Sequence, residues 1–457
     1  MTIRNISVFL ILLIASTANG QSAAEIANAA SNMYDNQSAI NTNFGYTKIN
    51  DVSYVGFRFK PELAFGKLGF GLDVPVWFDV ENFNVRTEEF KDGVGFLRII
   101  NYIRWGQKKK DPYYIRVGDL TGEYIGFGIL LSNYTNNVSF EKRTIGLSFD
   151  VSLKDKYGLE GIYSDFDPNS FNLLAFRPYY RPFGATEIPI IKTLEFGFGM
   201  VNDHGNSSLF SSDTTNYLSN GMTGISADVG MFLLTTSFID LTLYSQYGRL
   251  LENEDLKNSL VINEQNDLMS YSGGDGISVG LAARMRVLWN VFELNARIER
   301  VWYKDHFLPQ FFDAAYQIDK NAKIALLPGA EGNQGIYGAL QADLIEKFRI
   351  GGGLFLPDNV DDNHPAMVML NADVPDLIPK TIIEGRYFRG NITDLNDAFT
   401  LDENSQLSLL LAYKILPFFV AGVDYRWTFI PIGNKEYDVN HQWMPYVGLH
   451  FPLDLAK

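Results

Sequence analysis

The sequence predicts an all-β fold: a transmembrane antiparallel β-barrel of about 18–20 strands, with short turns at one end and long loops at the other. Three observations support this prediction. Apolar and polar residues alternate in many long segments, the connections between these segments alternate between short and long, and the N-terminus resembles an export signal. Together they describe a chain that is exported and then crosses a membrane with strands.

The clearest strand pattern lies in the stretch KLGFGLDVPVWFDV, which covers residues 67–80. From Leu68 to Val80 every even-numbered residue is apolar, whereas the odd positions hold glycine, aspartate, proline and tryptophan. A strand of this length, at ~3.3 Å per residue and tilted by ~45°, projects onto about 30 Å, the thickness of the hydrocarbon core of a bilayer. One apolar face and one polar face of that length fit the wall of a membrane barrel.

The same alternation recurs along the chain. It is present in residues 52–65, 143–152, 224–233, 276–288, 291–302, 348–356, 366–374, 381–389, 406–415, 418–429 and 441–451. Because apolar and polar residues cancel in such segments, the mean hydropathy of the chain is only −0.06. The aromatic content of 14% suits both strand propensity and the aromatic girdles of a membrane barrel.

The connections are sorted by length. Short links are predicted at 153–158, 233–237, 289–290, 345–347 and 415–417, and long polar loops at 203–221, 250–274, 303–333, 390–404 and 430–440. A membrane barrel has short turns on the periplasmic side and long loops outside, whereas a soluble sandwich has no reason for this order. The alternation falters at 113–141, which indicates that a segment there folds into the lumen.

The N-terminus has the three parts of a signal peptide, predicted over residues 1–20. Arg4 supplies the basic start, the apolar core is short, and the small residues Ala18 and Gly20 suit cleavage before Gln21. Residues 21–47 are rich in alanine and asparagine and are predicted to form a flexible periplasmic or lumenal segment with one short strand near its end. The barrel is predicted to occupy 48–457.

Composition argues against several other functions. The net charge of −15 is unsuited to nucleic acid, which needs clustered lysine and arginine. No cysteine is present, so thiolate metal sites and disulfides do not form. The pattern G-x-S-x-G occurs at 276–280, but inside a segment predicted to be an alternating strand, and the oxygen-rich stretches 165–170 and 357–364 lack the EF-hand pattern and are predicted to be turns. We therefore predict no enzyme activity, no cofactor and no metal site.

The polar faces of the strands are rich in arginine, accompanied by acids. Two interpretations are open: the charges pair across neighbouring strands and stabilise the wall, or some of them line a conduit. The predicted pore-lining residues are Arg58, Arg284, Arg286, Arg297, Glu384, Arg386, Asp424 and Arg426. Mixed rings of charge filter solutes in channels, which makes these positions the main functional hypothesis.

The long loop 303–333 contains the stretch DHFLPQFFDAAYQIDKN at 305–321, whose apolar residues have helical spacing. Either this helix packs on the rim of the barrel, or it forms a constriction or lid folded into the mouth. For the second alternative the predicted residues are Phe311, Phe312 and Asp313. Long loops are where a barrel keeps its function.

The signal peptide, the alternating strands and the sorted loops together resemble bacterial outer-membrane β-barrel proteins of the porin-like kind. The resemblance is architectural, covers roughly residues 48–457, and includes the run RVGDLTGEYIGFGILLSNYTN (116–136), which looks like segments of large barrels of this type. Such proteins usually end on an aromatic residue that the assembly machinery reads; here Phe451 is followed by PLDLAK.

The resemblance implies an outer-membrane location in a Gram-negative cell, with outer-membrane lipid, lipopolysaccharide, the barrel-assembly machinery and small solutes as partners. The expected function is passive or facilitated passage of small solutes through a water-filled pore. Two alternatives remain: a structural or surface-interaction barrel with a plugged lumen, and a carrier of apolar molecules.

Overall fold

The computed structural model describes most of the chain. The described residues are 23–29, 38–49, 52–87, 95–109, 111–136, 144–153, 156–167, 173–188, 190–203, 221–251, 261–262, 268–269, 271–287, 291–344, 348–375, 379–402, 404–433 and 436–453. The predicted signal peptide and its cleavage before Gln21 lie outside them.

Twenty wall strands follow one another in chain order. They are β1 (Ser38–Ile49), β2 (Val52–Phe65), β3 (Leu68–Leu72 and Val74–Asp79), β4 (Ile100–Trp105), β5 (Tyr113–Gly118), β6 (Gly146–Leu153), β7 (Tyr157–Tyr163), β8 (Leu173–Tyr180), β9 (Glu195–Asp203), β10 (Thr223–Thr235), β11 (Ile239–Leu250), β12 (Gly274–Val287), β13 (Phe292–Tyr303), β14 (Asn333–Leu344), β15 (Phe348–Pro357), β16 (Ala366–Pro375), β17 (Thr381–Ile392), β18 (Ser405–Lys414), β19 (Phe419–Gly433) and β20 (Glu436–Leu453). Helix α1 (Ala23–Ala29) precedes them, and α2 (Tyr316–Leu326) lies between β13 and β14. A two-stranded hairpin, Val261–Ile262 with Leu268–Met269, stands apart from the wall.

The sheet closes on itself, because β1 pairs antiparallel with both β2 and β20. Phe44 lies opposite Phe57 on one side and opposite Val447 on the other. The prediction of a closed antiparallel barrel is therefore confirmed, at 20 strands. A closed barrel leaves no strand edge without hydrogen bonds, which a lipid environment requires.

The wall begins earlier than predicted. Residues 38–49 form a full strand, so the predicted boundary at 48 and the flexible character of 21–47 are wrong for this part of the chain. The prediction of a polar loop at 430–440 is also wrong, because β19 ends at Gly433 and β20 begins at Glu436. In both places the residues are mostly polar, yet the neighbouring strands supply hydrogen-bond partners that local sequence does not reveal.

The stretch KLGFGLDVPVWFDV (67–80), predicted as one uninterrupted strand, is broken once. Asp73 separates the two pieces of β3; its backbone N–H donates to Ile99 O, and its carboxylate accepts two hydrogen bonds from Arg58. Both pieces still pair with β2, so that they act as a single wall strand. The inward pull of an ion pair explains the irregularity at this position.

The apolar faces point outward. Along β13, Ile298 is 58% exposed and Trp302 is 41% exposed, whereas the alternating Arg297, Glu299 and Val301 are buried in the interior. The same division holds for most strands, and large apolar residues dominate the exposed set. This is the reverse of a soluble protein and is the surface that a lipid environment stabilises. Neither described helix is long and apolar enough to span a membrane.

Candidate functional site: the lumen

The segment that interrupted the alternation folds into the barrel. β5 ends at Gly118, and residues 119–136, here called the lumenal segment, are mostly buried. Gly126 and Gly128 have φ of +59° and +91°, a backbone conformation that side chains disfavour, so glycine allows the tight path. Asn136 closes its base: the side chain accepts from Leu120 N at 2.8 Å and donates to Ser164 O at 2.9 Å.

The wall holds the lumenal segment through polar side chains from distant strands. Gly126 N donates to Glu160 at 3.1 Å on β7, and Ile129 N donates to Gln246 at 3.0 Å on β11. Glu123 accepts from Lys108 at 2.6 Å and from Ser148 on β6 at 3.0 Å. Inward polar residues of the wall thus serve as hydrogen-bond partners for a backbone that would otherwise be buried unsatisfied.

Residues 304–332, here called the mouth loop, cover the lumenal segment. Phe312 N donates to Leu130 O at 2.9 Å, and Ser132 N donates to Phe312 O at 3.1 Å. Phe311 and Phe312 are buried and pack edge-on against each other, 5.1 Å between ring centroids. These residues and Asp313 are buried, and Phe312 contacts the lumenal segment; their role as a constriction or lid is still a prediction.

The helix predicted over the apolar part of 305–321 begins later than its spacing indicated. α2 starts at Tyr316, because Phe312 is engaged in a β-bridge with Leu131 and is not helical. The Tyr316 hydroxyl donates to Asp203 at 2.9 Å, and Gln317 donates to the Tyr134 hydroxyl at 2.7 Å. A partner on the lumenal segment, distant in sequence, decided the local structure.

A buried cluster of charges joins the wall on this side. Arg177 is 0% exposed and lies 3.0 Å from Glu160, 2.8 Å from Glu195 and 2.5 Å from Asp228. Lys109, from the turn between β4 and β5, adds a contact of 2.7 Å to Glu160. Each carboxylate is compensated, as buried charges must be.

This cluster was missed in the sequence. The alternation of LLAFRPYY places Leu173, Ala175, Arg177 and Tyr179 on the inward face, so the pattern could have identified Arg177. Nothing in the local pattern identifies its three partners, which come from β7, β9 and β10.

Among the predicted pore-lining residues, Arg297 faces the part of the interior that the lumenal segment and α1 occupy. Its guanidinium donates to Tyr244 Oη at 2.6 Å, to Phe127 O at 2.5 Å and to Asn28 Oδ1 at 3.0 Å, and it pairs with Glu299. It therefore links the wall to the lumenal segment and to α1. At this position the contacts favour the interpretation in which the charges pair and stabilise the structure over the one in which they line a conduit.

Two rows of inward residues run across β12–β19, because residues directly opposite in paired strands face the same side. The first row is Arg286, Glu293, Asp343, Arg349, Asp373, Glu384, Leu410 and Asp424. The second row is Arg284, Asn295, Gln341, Gly351, Asn371, Arg386, Ser408 and Arg426. Acids dominate the first row, and arginines and amides the second. Seven of the eight predicted pore-lining residues belong to or reach these rows.

At the two ends of the rows the charges are paired. Arg286 lies 2.5 Å from Asp240, and Arg284 lies 3.4 Å from Glu293. At the other end, Arg426 lies 3.0 Å from Asp424. Arg58 on β2, three strands from β19 around the ring, donates to Asp73 and extends to within 3.7 Å of Asp424. The pairs of Arg286 with Asp240, Arg284 with Glu293 and Arg58 with Asp73 support the interpretation in which cross-strand pairing stabilises the wall, whereas Arg426 and Asp424 pair within one strand.

In the middle of the rows Arg349 lies 2.5 Å from Asp343, whereas two charged residues on β17 are exposed. Glu384 and Arg386 on β17 are both exposed although they point into the barrel, as the buried Ile382 and Phe388 on the same face show. Among the described residues, none makes a hydrogen bond or an ion pair to the Arg386 guanidinium.

The oxygen-rich stretch 357–364 is a turn, as predicted. The Asp361 carboxylate accepts from the backbone N–H groups of Asn363 at 2.9 Å and His364 at 3.0 Å. In the described part of the chain, no three His, Asp or Glu side chains form a group that could hold a metal ion. The other stretch, 165–170, lies partly outside the described residues.

No known family model matches the sequence, and no curated protein matches it. Among solved structures, OccD3 (OpdP) of Pseudomonas aeruginosa is 12% identical over 93% of this chain and 94% of its own, with a TM-score of 0.32. Wzi of Escherichia coli, an outer-membrane protein involved in group 1 capsule assembly, is 10% identical over 96% and 95%, with a TM-score of 0.33. OccAB1 of Acinetobacter baumannii is 10% identical over 91% and 96%, with a TM-score of 0.31.

These likenesses add nothing to what the strand pairing shows by itself. The predicted resemblance to porin-like outer-membrane barrels is confirmed at the level of architecture, by a closed sheet with an apolar exterior and a polar interior.

Proposed function

We propose that this protein is an outer-membrane channel through which small polar solutes pass along the β15–β19 side of the lumen. One observation supports the proposal above all others: Glu384 and Arg386 on β17 are exposed inside the barrel, whereas Arg177 on β8 and Arg297 on β13 are buried. An exposed charge in the interior of a membrane barrel indicates water there, since a charge removed from water is costly.

The two rows give this passage its chemistry. Glu384 and Arg386 are two residues apart on one strand, so a solute that passes them meets an acid and a base in succession. Asn371 and Ser408 flank Arg386 on the neighbouring strands and add neutral polar groups. Such a lining favours small hydrophilic solutes over apolar ones.

Conductance in planar bilayers tests the proposal. The folded wild-type protein is expected to give steady current steps, and Arg386→Glu is expected to shift the reversal potential in a salt gradient towards cation selectivity. Glu384→Lys is expected to shift it in the opposite direction, because the sign of the lining charge is reversed. Arg300→Glu is the matched control, since Arg300 alternates with the inward Glu299 and Val301 and lies on the outer face.

Conduction with no shift in either variant would remove these two residues from the passage. A folded preparation that gives no current would overturn the proposal and favour a second function, a surface-interaction barrel with a plugged lumen. The specific observation behind that alternative is the packing of the mouth loop onto the lumenal segment through Phe312 and Leu130.

The location in the outer membrane, insertion by the barrel-assembly machinery and removal of residues 1–20 belong to the same proposal. The mass of the mature protein from a membrane fraction tests the cleavage: a chain that does not start at Gln21 contradicts that site.

A further inference from the structure

Helix α1 occupies the interior of the barrel, far from the strand to which the chain connects it. It packs against β10, β11, β12 and β13, whereas the chain continues from α1 into β1. In a ring of 20 strands these are nearly opposite positions. Since α1 shares no backbone ladder with the wall, its position depends on side-chain contacts.

Those contacts involve small side chains. Ala23, Ala24 and Ala27 are buried in a cluster with aromatic residues from the wall and the lumenal segment. The aromatic part of the cluster includes Phe127 and Tyr244, whose rings stack at 4.4 Å between centroids and 2° between planes. Alanine buries little apolar area, so the hydrophobic gain of docking is small compared with the loss of chain entropy when a short helix is ordered.

The Asn28 side chain of α1 contacts Arg297, which has other partners. Asn28 donates to Gly126 O at 2.9 Å and accepts from Arg297 at 3.0 Å. Without α1, Arg297 would still be paired with Glu299 and hydrogen-bonded to Tyr244. Departure of the helix therefore leaves Arg297 with its counter-ion Glu299, so the loss of the Asn28 contact does not strand this buried charge.

We propose that α1 is a releasable plug: it closes the β10–β13 side of the lumen when docked and leaves as a unit to widen the passage. The inference rests on the proposed channel function only for its effect on current. Docking and release are properties of the fold, and they are measured independently of conduction.

Thiol labelling measures docking, because the chain has no cysteine of its own. Ala282 belongs to the cluster around α1, so Ala282→Cys places a single thiol there. In the folded full-length protein a water-soluble maleimide is expected to react slowly but to completion. When α1 is prevented from docking, either by deletion of residues 21–30 or by Ala24→Trp, the rate is expected to rise at least tenfold.

Ser408→Cys is the matched control, since β18 lies on the exposed side and its labelling rate is expected to be the same with and without α1. Equal rates at Ala282→Cys with and without α1 would show that the helix does not cover the site and overturn the proposal. Failure of the intact protein to react at all, while the deletion reacts, would overturn release and make α1 a permanent part of the wall.

Current separates this inference from the channel proposal. The deletion is expected to raise single-channel conductance about twofold or more. An unchanged conductance in a conducting barrel would overturn widening by α1. If both forms are silent while the labelling rates differ as expected, the channel function fails, and with it the effect on passage, whereas docking and release stand.

Discussion

The β6–β13 side of the lumen and the β15–β19 side are built from the same alternating pattern, yet they end in opposite states. On the first side Arg177 is fully buried among three carboxylates, and on the second Arg386 is exposed. The strands do not explain the difference, because inward charges occur on both. What differs is the neighbour: the lumenal segment and α1 fill the first side.

The comparison shows that an inward polar residue has no fixed role in a barrel. Where chain fills the lumen, Glu160 and Gln246 satisfy its backbone N–H groups. On β17, by contrast, Glu384 and Arg386 are exposed. The chain that packs on the inner face, rather than the strand that carries the charge, decides whether that charge is buried or exposed.

Removal of the central charge on the filled side should have the largest effect. Arg177→Leu leaves Glu160, Glu195 and Asp228 without their shared cation, and breaking a buried pair in this way costs about 3–5 kcal/mol. Urea unfolding of the folded barrel, followed by tryptophan fluorescence, measures the loss. Arg426→Leu is the comparison on the other side; Arg426 is partly exposed, and we expect a loss of about 1 kcal/mol. Equal losses would contradict the division of the lumen into two sides.

The second-largest loss of stability is expected from a substitution at the base of the lumenal segment. Asn136→Ala leaves Leu120 N–H and Ser164 O without the bonds that Asn136 makes, and orphaned buried groups cost about 1–3 kcal/mol each. We therefore expect a total loss of about 3 kcal/mol, together with faster proteolysis within 119–136. The control Thr121→Ala removes a side-chain bond to Asp119 at 3.2 Å in the same segment, and it should change neither measurement noticeably. Unchanged proteolysis in Asn136→Ala would show that the wall alone holds the segment.

The sequence predicted the wall better than its filling. Period-two alternation is local, so the inward and outward faces of β12 or β13 could be read directly from their residues. The filling depends on contacts such as Ile129 with Gln246, which lie 117 residues apart. No local pattern reveals such a pair.

Within the predicted site, the same limit applies. The alternation placed Arg58, Arg284, Arg297 and Arg386 on the inward face correctly, but it could not distinguish them. Arg297 is in contact with Phe127 and Asn28, which belong to segments without periodicity, so its burial could not be predicted from the pattern. The faltering alternation at 113–141 was the one sequence signal for a lumenal segment. Gly126 and Gly128 lie in this stretch and adopt the positive φ that its path requires.

A smaller effect is expected from a methyl group on the filled side. An added Cβ at Gly230 would lie 2.4 Å from Phe127 Cζ, so Gly230→Ala must displace the ring that stacks on Tyr244. Overpacking of this kind costs about 1–3 kcal/mol in urea unfolding. At Gly338 the nearest atom, Arg297 O, is 4.0 Å from the added Cβ, and Gly338→Ala should be neutral or slightly stabilising. A neutral Gly230→Ala would mean that the filling is loosely packed.

The smallest effect is expected outside the lumen, at the pair of Arg300 and Asp358. Arg300 donates two hydrogen bonds, of 2.7 and 2.6 Å, to the Asp358 carboxylate, and these hydrogen bonds hold the carboxyl pKa below its usual value. A pKa that is lower in the folded state means that the pair stabilises the fold above the unfolded pKa of aspartate and stops doing so as the pH falls through the folded pKa.

Because both side chains are exposed and screened by salt, Asp358→Asn should leave urea unfolding at neutral pH unchanged within error. The pair is better detected by NMR titration of the Asp358 carboxyl, whose midpoint should rise when Arg300→Gln removes the donor. A clear loss of stability in Asp358→Asn would show that an exposed ion pair on this barrel behaves like the buried cluster around Arg177, and burial by the filling would then not be what separates strong pairs from weak ones.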